Sequence, residues 1–207
     1  MLKASDIAPA PGIQTVGVES VAALADITAD AFRDDPFNRW LFGGFDPMHR
    51  TFANLARHIY AANGFCQILQ EDGEGRAATM WLMPGDKPEG SPLAMLQTYW
   101  GLLASGGFGA LARGKAAGDA MANHHPEALH AYLFTVGVAS AGRGRGLGRR
   151  LIQPVLDACD STNTMAYLEN SNPANQRFYH SLGFERMELF HATPESPPLE
   201  AMQRQAR

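Results

Sequence analysis

An α/β fold, one central sheet flanked by helices, is what this sequence predicts, and three observations carry the prediction. Short β-rich runs alternate with stretches whose apolar residues recur at helical spacing, the order that packs helices against one sheet. The chain has 207 residues, a single-domain length, with 45% apolar and 18% charged residues. No repeat, low-complexity tract or linker divides it. One domain over 13–207 is therefore expected, with residues 1–12 as a flexible N-terminus.

The elements follow in order. Ile13–Val18 reads as a short strand. Val21, Leu24, Ala25, Thr28 and Phe32 mark one face of a helix entered at Ser20, and Asp34-Asp35 before Pro36 reads as its end. Asp46-Pro47 reads as a cap and first-turn proline, opening a helix with Phe52, Leu55, Ile59 and Tyr60 inward. Phe65–Gln70, the turn Glu71–Gly75 and Ala77–Met83 form a predicted hairpin. No charged residue falls between Pro92 and Ala112, long enough to span a bilayer. Yet Leu93, Leu96, Trp100 and Leu103 recur at helical spacing among Gln97, Thr98, Ser105 and Gly106-Gly107. Two amphipathic helices over Leu93–Met121, weakly joined at Ser105–Gly109, fit better. Then come strand Ala131–Val138, a Gly/Arg loop, helix Leu147–Cys159, strand Thr164–Leu168, helix Pro173–Leu182 and strand Phe184–His191. Pro154 should kink its helix or cost about 3 kcal/mol.

Composition excludes several classes. A net charge of −4 disfavours a whole-surface binder of nucleic acid or anionic membrane. The opening MLKASDIAPAPG lacks the apolar stretch of a signal peptide, and a cytoplasmic location is expected. Cys66 and Cys159 sit in apolar surroundings with no metal or redox spacing, and read as buried thiols. His124, His125 and His130 lie close in sequence without a completing ligand set, so no metal is expected.

The chemistry concentrates in two segments. Residues 140–150, Ser-Ala-Gly-Arg-Gly-Arg-Gly-Leu-Gly-Arg-Arg, join a strand to a helix. Glycines let backbone N–H groups crowd around an anion, and a helix start adds partial positive charge, an arrangement suited to pyrophosphate. Neither the dinucleotide-binding glycine spacing nor a Gly-Lys-Ser/Thr phosphate loop is present. In the second segment, Asn172 caps, Pro173 starts and Gly183 ends a short helix with Phe178 and Leu182 inward. That packing role leaves Asn175, Tyr179 and Glu169 without a structural task.

Arg143-x-x-Gly146-x-Gly148 after the Val136-Gly137-Val138 strand, followed by Asn172, Asn175, Phe178-Tyr179 and Gly183-Phe184, resembles the GCN5-related N-acetyltransferase superfamily. The stretches Ala31–Trp40, Ala77–Pro84, His124–Gly148 and Leu168–Gly183 are most similar to its puromycin N-acetyltransferase branch. The resemblance implies a sheet in which acetyl-CoA lies between two splayed strands, with Leu199–Arg204 as a weakly matching last strand. It implies pyrophosphate held by Arg143, Gly144, Arg145, Gly146, Leu147, Gly148 and Arg149, and pantetheine held by Val136, Val138, Asn175 and Asn172. It implies Tyr179 as the acid that protonates the departing thiolate. Acceptor-binding walls are implied near Phe37, Trp40, Tyr99 and Trp100, although core packing is the commoner role for any single one of them. Arg143 departs from the glutamine common in that branch.

The expected function is acyl-CoA-dependent transfer of an acetyl group to a primary amine of a small molecule or peptide, by direct attack. The rival is an acetyl-CoA-binding regulatory domain without turnover. Neither nucleic acid nor membrane is an expected partner, and the chain would act as a monomer or homodimer. The family often places its base eleven positions before the loop motif, which is Tyr132 here. A tyrosine of ordinary pKa is a poor base, and His130 on the same strand face titrates in a better range. Glu169, at the end of the neighbouring strand, is the expected base, with Tyr132 positioning the amine or its water.

Overall fold

The structure is a computed structural model describing residues 1–86 and 92–207, with side chains except at 92–95 and 104–106. Leu93, Ser105 and Gly106 therefore fall, as side chains, outside the described residues. Among the described residues, seven strands form one sheet in the order β1-β2-β3-β4-β5-β7-β6. They are β1 (Ile13–Val16), β2 (Phe65–Glu71), β3 (Glu74–Leu82), β4 (His130–Val138), β5 (Met165–Asn170), β6 (Glu185–Phe190) and β7 (Leu199–Arg204). Every pair is antiparallel except β4–β5. The hairpin turn between β2 and β3 uses positive φ at Asp72 and Gly73, the geometry that matches strand twist.

One face of the sheet carries α1 (Val21–Phe32), α2 (Pro36–Phe42), α3 (Phe45–Leu55), a π turn (Ala56–Tyr60), α4 (Ala61–Asn63) and α5 (Pro92–His124). Leu24, Phe37, Phe52, Tyr60, Tyr132 and Tyr167 are buried there. The other face carries α6 (Leu147–Ser161) and α7 (Gln176–Ser181), over Trp81, Leu133, Ile152, Leu156 and Phe184. The expected two-layer packing on one sheet is present. As anticipated, α5 breaks at Gly107, whose backbone is non-helical at φ 65. α6 runs through Pro154 as a helix.

Four expectations need correction. The cap-and-proline start lies at Asp35-Pro36, where Asp35 Oδ1 accepts from Asn38 N at 2.8 Å and opens α2, a helix the sequence reading missed. At the second such pair the helix starts at Phe45 with Gly44 as its cap, so Asp46 lies inside the first turn. Leu96 and Trp100, expected on a packed face, are 62% and 67% exposed. At the N-terminus, expected to be loose, Leu2 is 1% exposed and packs in the core beneath α6, because a leucine gains more from burial than from solvent.

Two features of β4 position the site. It pairs with β5 only through His130–Tyr132, after which the two strands part, while β5 stays bonded to β7 along its other edge through Asn170. A bulge then leaves Phe134 as an extra residue opposite Met80 and Trp81. The bulge reverses the alternation, so Val136 packs with the α6 face while Tyr132 packs with the α1 face. α1 lies directly over β4 at Gly137, where a Cβ would sit 2.9 Å from that of Ala31.

Candidate active site

Where β4 and β5 separate, a cleft of about 460 Å³ opens between the C-terminal end of α1, the Gly/Arg loop, and the start of α7. Val136, Val138, Arg143, Gly144, Gly146, Leu147, Gly148, Arg149, Asn172, Asn175 and Tyr179 all line it. The Gly/Arg loop and the segment around Asn172–Tyr179 thus meet around one space, as the family resemblance implies.

The loop is built to expose its backbone. Gly144 and Gly146 take φ of +77 and +72, and a Cβ on either would meet nothing within 4 Å. Gly146 is the N-cap of α6, so the first N–H groups of that helix face the cleft without intrahelical partners. Gly148 lies against Phe178 and Val138, closing the floor. A backbone cradle at the positive end of a 15-residue helix fits a pyrophosphate.

The loop's arginines are engaged by the protein itself. Arg143 donates to the carbonyls of Ala31 at 3.1 Å and Asp30 at 3.4 Å, capping α1. Ser140 N donates to Asp30 Oδ2 at 2.7 Å, which lowers that carboxyl's pKa. Arg145 and Arg150 both pair with Glu71, at 2.9 and 3.0 Å. Arg149 donates to the Ser181 carbonyl at 3.2 Å and to its hydroxyl. These guanidinium groups fix the loop on its neighbours. Arg145 is not among the cleft-lining residues.

Tyr179 lines the far wall and is 8% exposed. Burial, and then the negative charge of Asp35, raise its phenol well above the ordinary value, so it holds its proton. Asn172 accepts from Ala174 N at 3.0 Å, the predicted cap, and Asn175 is exposed on the rim.

The structure does not bring the expected base to this cleft. The Glu169 side chain is 1% exposed, with Oε1 at 3.2 Å from His125 Nδ1. That Nδ1–H also reaches the Met121 carbonyl at 3.1 Å, so the carboxylate contact is an ion pair rather than an aligned hydrogen bond. Tyr132 is buried beside it, its phenol raised by burial and by Glu169. Neither residue lines the cleft. His130 is held by the Ala128 carbonyl at 2.7 Å, and burial lowers its pKa. Of the expected acceptor walls, buried Phe37 packs with half-buried Trp40 at 5.3 Å against the core, while Tyr99 and Trp100 sit exposed on α5. Burial pushes both thiols, Cys66 and Cys159, up to about 12, which makes them poor nucleophiles.

The cleft contains a carboxylate that sequence reasoning passed over. Asp35 lines it and is 5% exposed. Its Oδ1 accepts from Asn38 N and Nδ2, both at 2.8 Å, and its Oδ2 accepts from Ser171 Oγ at 2.8 Å. Its place just before a proline was the only sequence signal, and that signal reads as a helix boundary.

Residues 29–184 match the profile of the Acetyltransferase (GNAT) family. The chain belongs to the GNAT acetyltransferase family. An uncharacterised N-acetyltransferase of Schizosaccharomyces pombe is 25% identical over 85% of this chain and 76% of its own length. A solved structure described as histone acetyltransferase HPA2 and related acetyltransferase, from Corynebacterium glutamicum, shares the fold with a TM-score of 0.71. It is 24% identical, covering 96% of this chain and 98% of that one. Arylalkylamine N-acetyltransferase 2 from Aedes aegypti shares the fold at a TM-score of 0.61, with 12% identity over 94% of this chain and 98% of that one. This GNAT protein is an acyl-transferring enzyme, and acetyl-CoA is the family's cosubstrate. Among the described residues, no helix is long and apolar enough to cross a membrane.

Proposed function

We propose that the protein transfers the acetyl group of acetyl-CoA to a primary amine of a small molecule or peptide by direct attack. The observation that carries this reading is the single cleft joining an anion cradle, an unpaired β4 edge and a protonated Tyr179. In this reading the N–H groups at Gly146–Gly148 hold the pyrophosphate, and β4 around Val136 and Val138, with Asn172 and Asn175, holds the pantetheine arm. Tyr179 then donates a proton to the departing thiolate. High thiol pKa values support attack without an acyl-cysteine intermediate.

Two carboxylates, exposed Asp34 and buried Asp35, flank the cleft and favour an acceptor that arrives as a cation. The relatives' printed activities, among them arylalkylamine acetylation, support an amine acceptor in general. The puromycin-acetylating branch rests on the motif resemblance alone, and aminonucleosides belong in the first screen. Coenzyme A release measured across aliphatic amines, arylalkylamines, aminonucleosides and peptide N-termini tests the proposal. Turnover with at least one amine supports it. Acetyl-CoA binding without turnover on any of them favours a regulatory domain.

A further inference from the structure

We infer that Asp35 takes the proton released by the attacking amine, and that its protonation in turn frees the acid, Tyr179, to act. The assignment rests on the transferase reading above and names the base within that site.

The geometry has three parts. Asp35 sits on the cleft wall at the turn between α1 and α2, held rigidly because Oδ1 caps α2 through Asn38. Its Oδ2 is held by one hydroxyl, Ser171 Oγ, from the end of β5. That leaves acceptor capacity on an oxygen beside the end of β5, beyond the point where that strand has parted from β4. Tyr179 reaches the same cleft from α7, near enough that Asp35's charge acts on its phenol. Base and acid thus face one space from opposite sides of the splayed strands.

The charged and titratable groups around Asp35 can be named from every element that borders the cleft. Tyr179 comes from α7, Arg143 from the loop and Arg149 from α6. Asp34 adjoins it in sequence, 3.8 Å from Arg39. Arg143 and Arg149 are both engaged with protein carbonyls, and no ion pair to Asp35 occurs among the described residues. Burial raises the Asp35 carboxyl, against the hydrogen bonds from Asn38 and Ser171 that pull it down. A carboxylate raised in this way is a better proton acceptor near neutrality than an exposed one.

The step balances. The neutral amine nitrogen attacks the thioester carbonyl carbon, the C–N bond forms and the C–S bond breaks. The amine's extra proton passes to Asp35 Oδ2, and the thiolate takes the Tyr179 proton, giving amide and thiol. Solvent then returns a proton from Asp35 to Tyr179. Because Asp35's negative charge holds the phenol's proton, neutralising Asp35 lowers the barrier to donation by Tyr179. Acid and base are therefore electrostatically coupled, each ready when the other is.

Asp35→Asn tests this with little risk to folding, since asparagine is an equally good cap and its Oδ1 can still accept from Asn38 N. With an amine active on the wild type, kcat at pH 7 should fall about 10²–10⁴-fold. Acetyl-CoA affinity by isothermal titration should stay within about twofold, because the cradle is untouched. The residual rate should climb with pH across the range where the wild type levels off, as solvent replaces the lost base. Asp35→Glu should recover part of the rate and the wild-type profile shape. Asp35→Asn turnover within about threefold of wild type, or a loss with an unchanged profile, would overturn the assignment. A wild type that releases no thiol with any amine would instead overturn the transferase reading.

Discussion

Half-buried His125 and the buried carboxylate of Glu169 lie 3.2 Å apart and join the end of α5 to β5 beneath Tyr132 and Tyr167. Burial alone would lower the His125 pKa, but the nearby Glu169 carboxylate, helped by the Met121 carbonyl, outweighs it and raises the pKa above the ordinary value. Groups this far from the cleft hold the helix that roofs the sheet.

That pair predicts a pH dependence of stability. A histidine raised on folding contributes fully below its unfolded pKa, about 6.5, and the contribution is lost as pH rises through its folded value. The urea midpoint of the wild type, minus that of Glu169→Gln, should be largest near pH 6 and shrink as pH rises past neutrality. A difference that stays constant from pH 5.5 to 8.5 would remove the ion pair as a source of stability.

Donor binding should depend on the loop's backbone and little on its outermost arginine. Acetyl-CoA at about 100 times its Kd contributes roughly 2.7 kcal/mol, a rise in Tm of about 5–10 °C for a chain of this size. Gly146→Asp places a side chain and a negative charge in the cradle and should abolish the rise. Arg145→Ala should keep most of it, because Arg145 serves Glu71. Scanning fluorimetry in which the two variants lose the shift equally would assign the phosphates to the side chains instead.

Tyr179→Phe should separate chemistry from binding. The ring packs against Phe178 and Phe184, and phenylalanine preserves those contacts. Turnover should drop about 10²–10⁴-fold while the acetyl-CoA Kd changes little. Loss of affinity in step with turnover would make the hydroxyl a binding group.

On β7, buried Arg204 forks onto Asp160 with two 2.7 Å hydrogen bonds and donates to the Leu182 carbonyl at 2.9 Å. Asp160→Ala leaves that guanidinium buried without its partner, at a cost on the order of 3 kcal/mol. Calorimetry should show Tm lower by about 6–12 °C with acetyl-CoA affinity retained. A loss under 2 °C would mean that solvent reaches Arg204 without penalty.

The Gly/Arg loop and the Asn172 cap were legible in the sequence because each is a local backbone requirement, written in consecutive residues. Asp35 was not, because its partner Ser171 lies 136 positions away and only the fold joins them. The cap-and-proline pattern occurs at residues 35–36 and again at 46–47, and local chemistry cannot say which aspartate caps. Spacing found the apolar stripe of Leu96 and Trp100 but not what it faces, since periodicity specifies a side of a helix and no neighbour. The partners of the loop's arginines were not legible for a related reason: Glu71 and the carbonyls of α1 and Ser181, which take up the guanidinium groups, come from distant parts of the chain.

The strand order β5-β7-β6 has a consequence for how the chain is made. β7 follows β6 in sequence yet lies between it and β5, bonded to Ala166–Asn170 on one side and to Glu185–Phe190 on the other. During synthesis, β6 therefore has no sheet to join until residues 199–204 emerge from the ribosome. Until then the outer edge of β5, the one turned away from β4 and the cleft, stays open to any passing strand. A nascent chain stalled after residue 190 would expose that edge indefinitely, making it a substrate for chaperones rather than a slightly shortened enzyme.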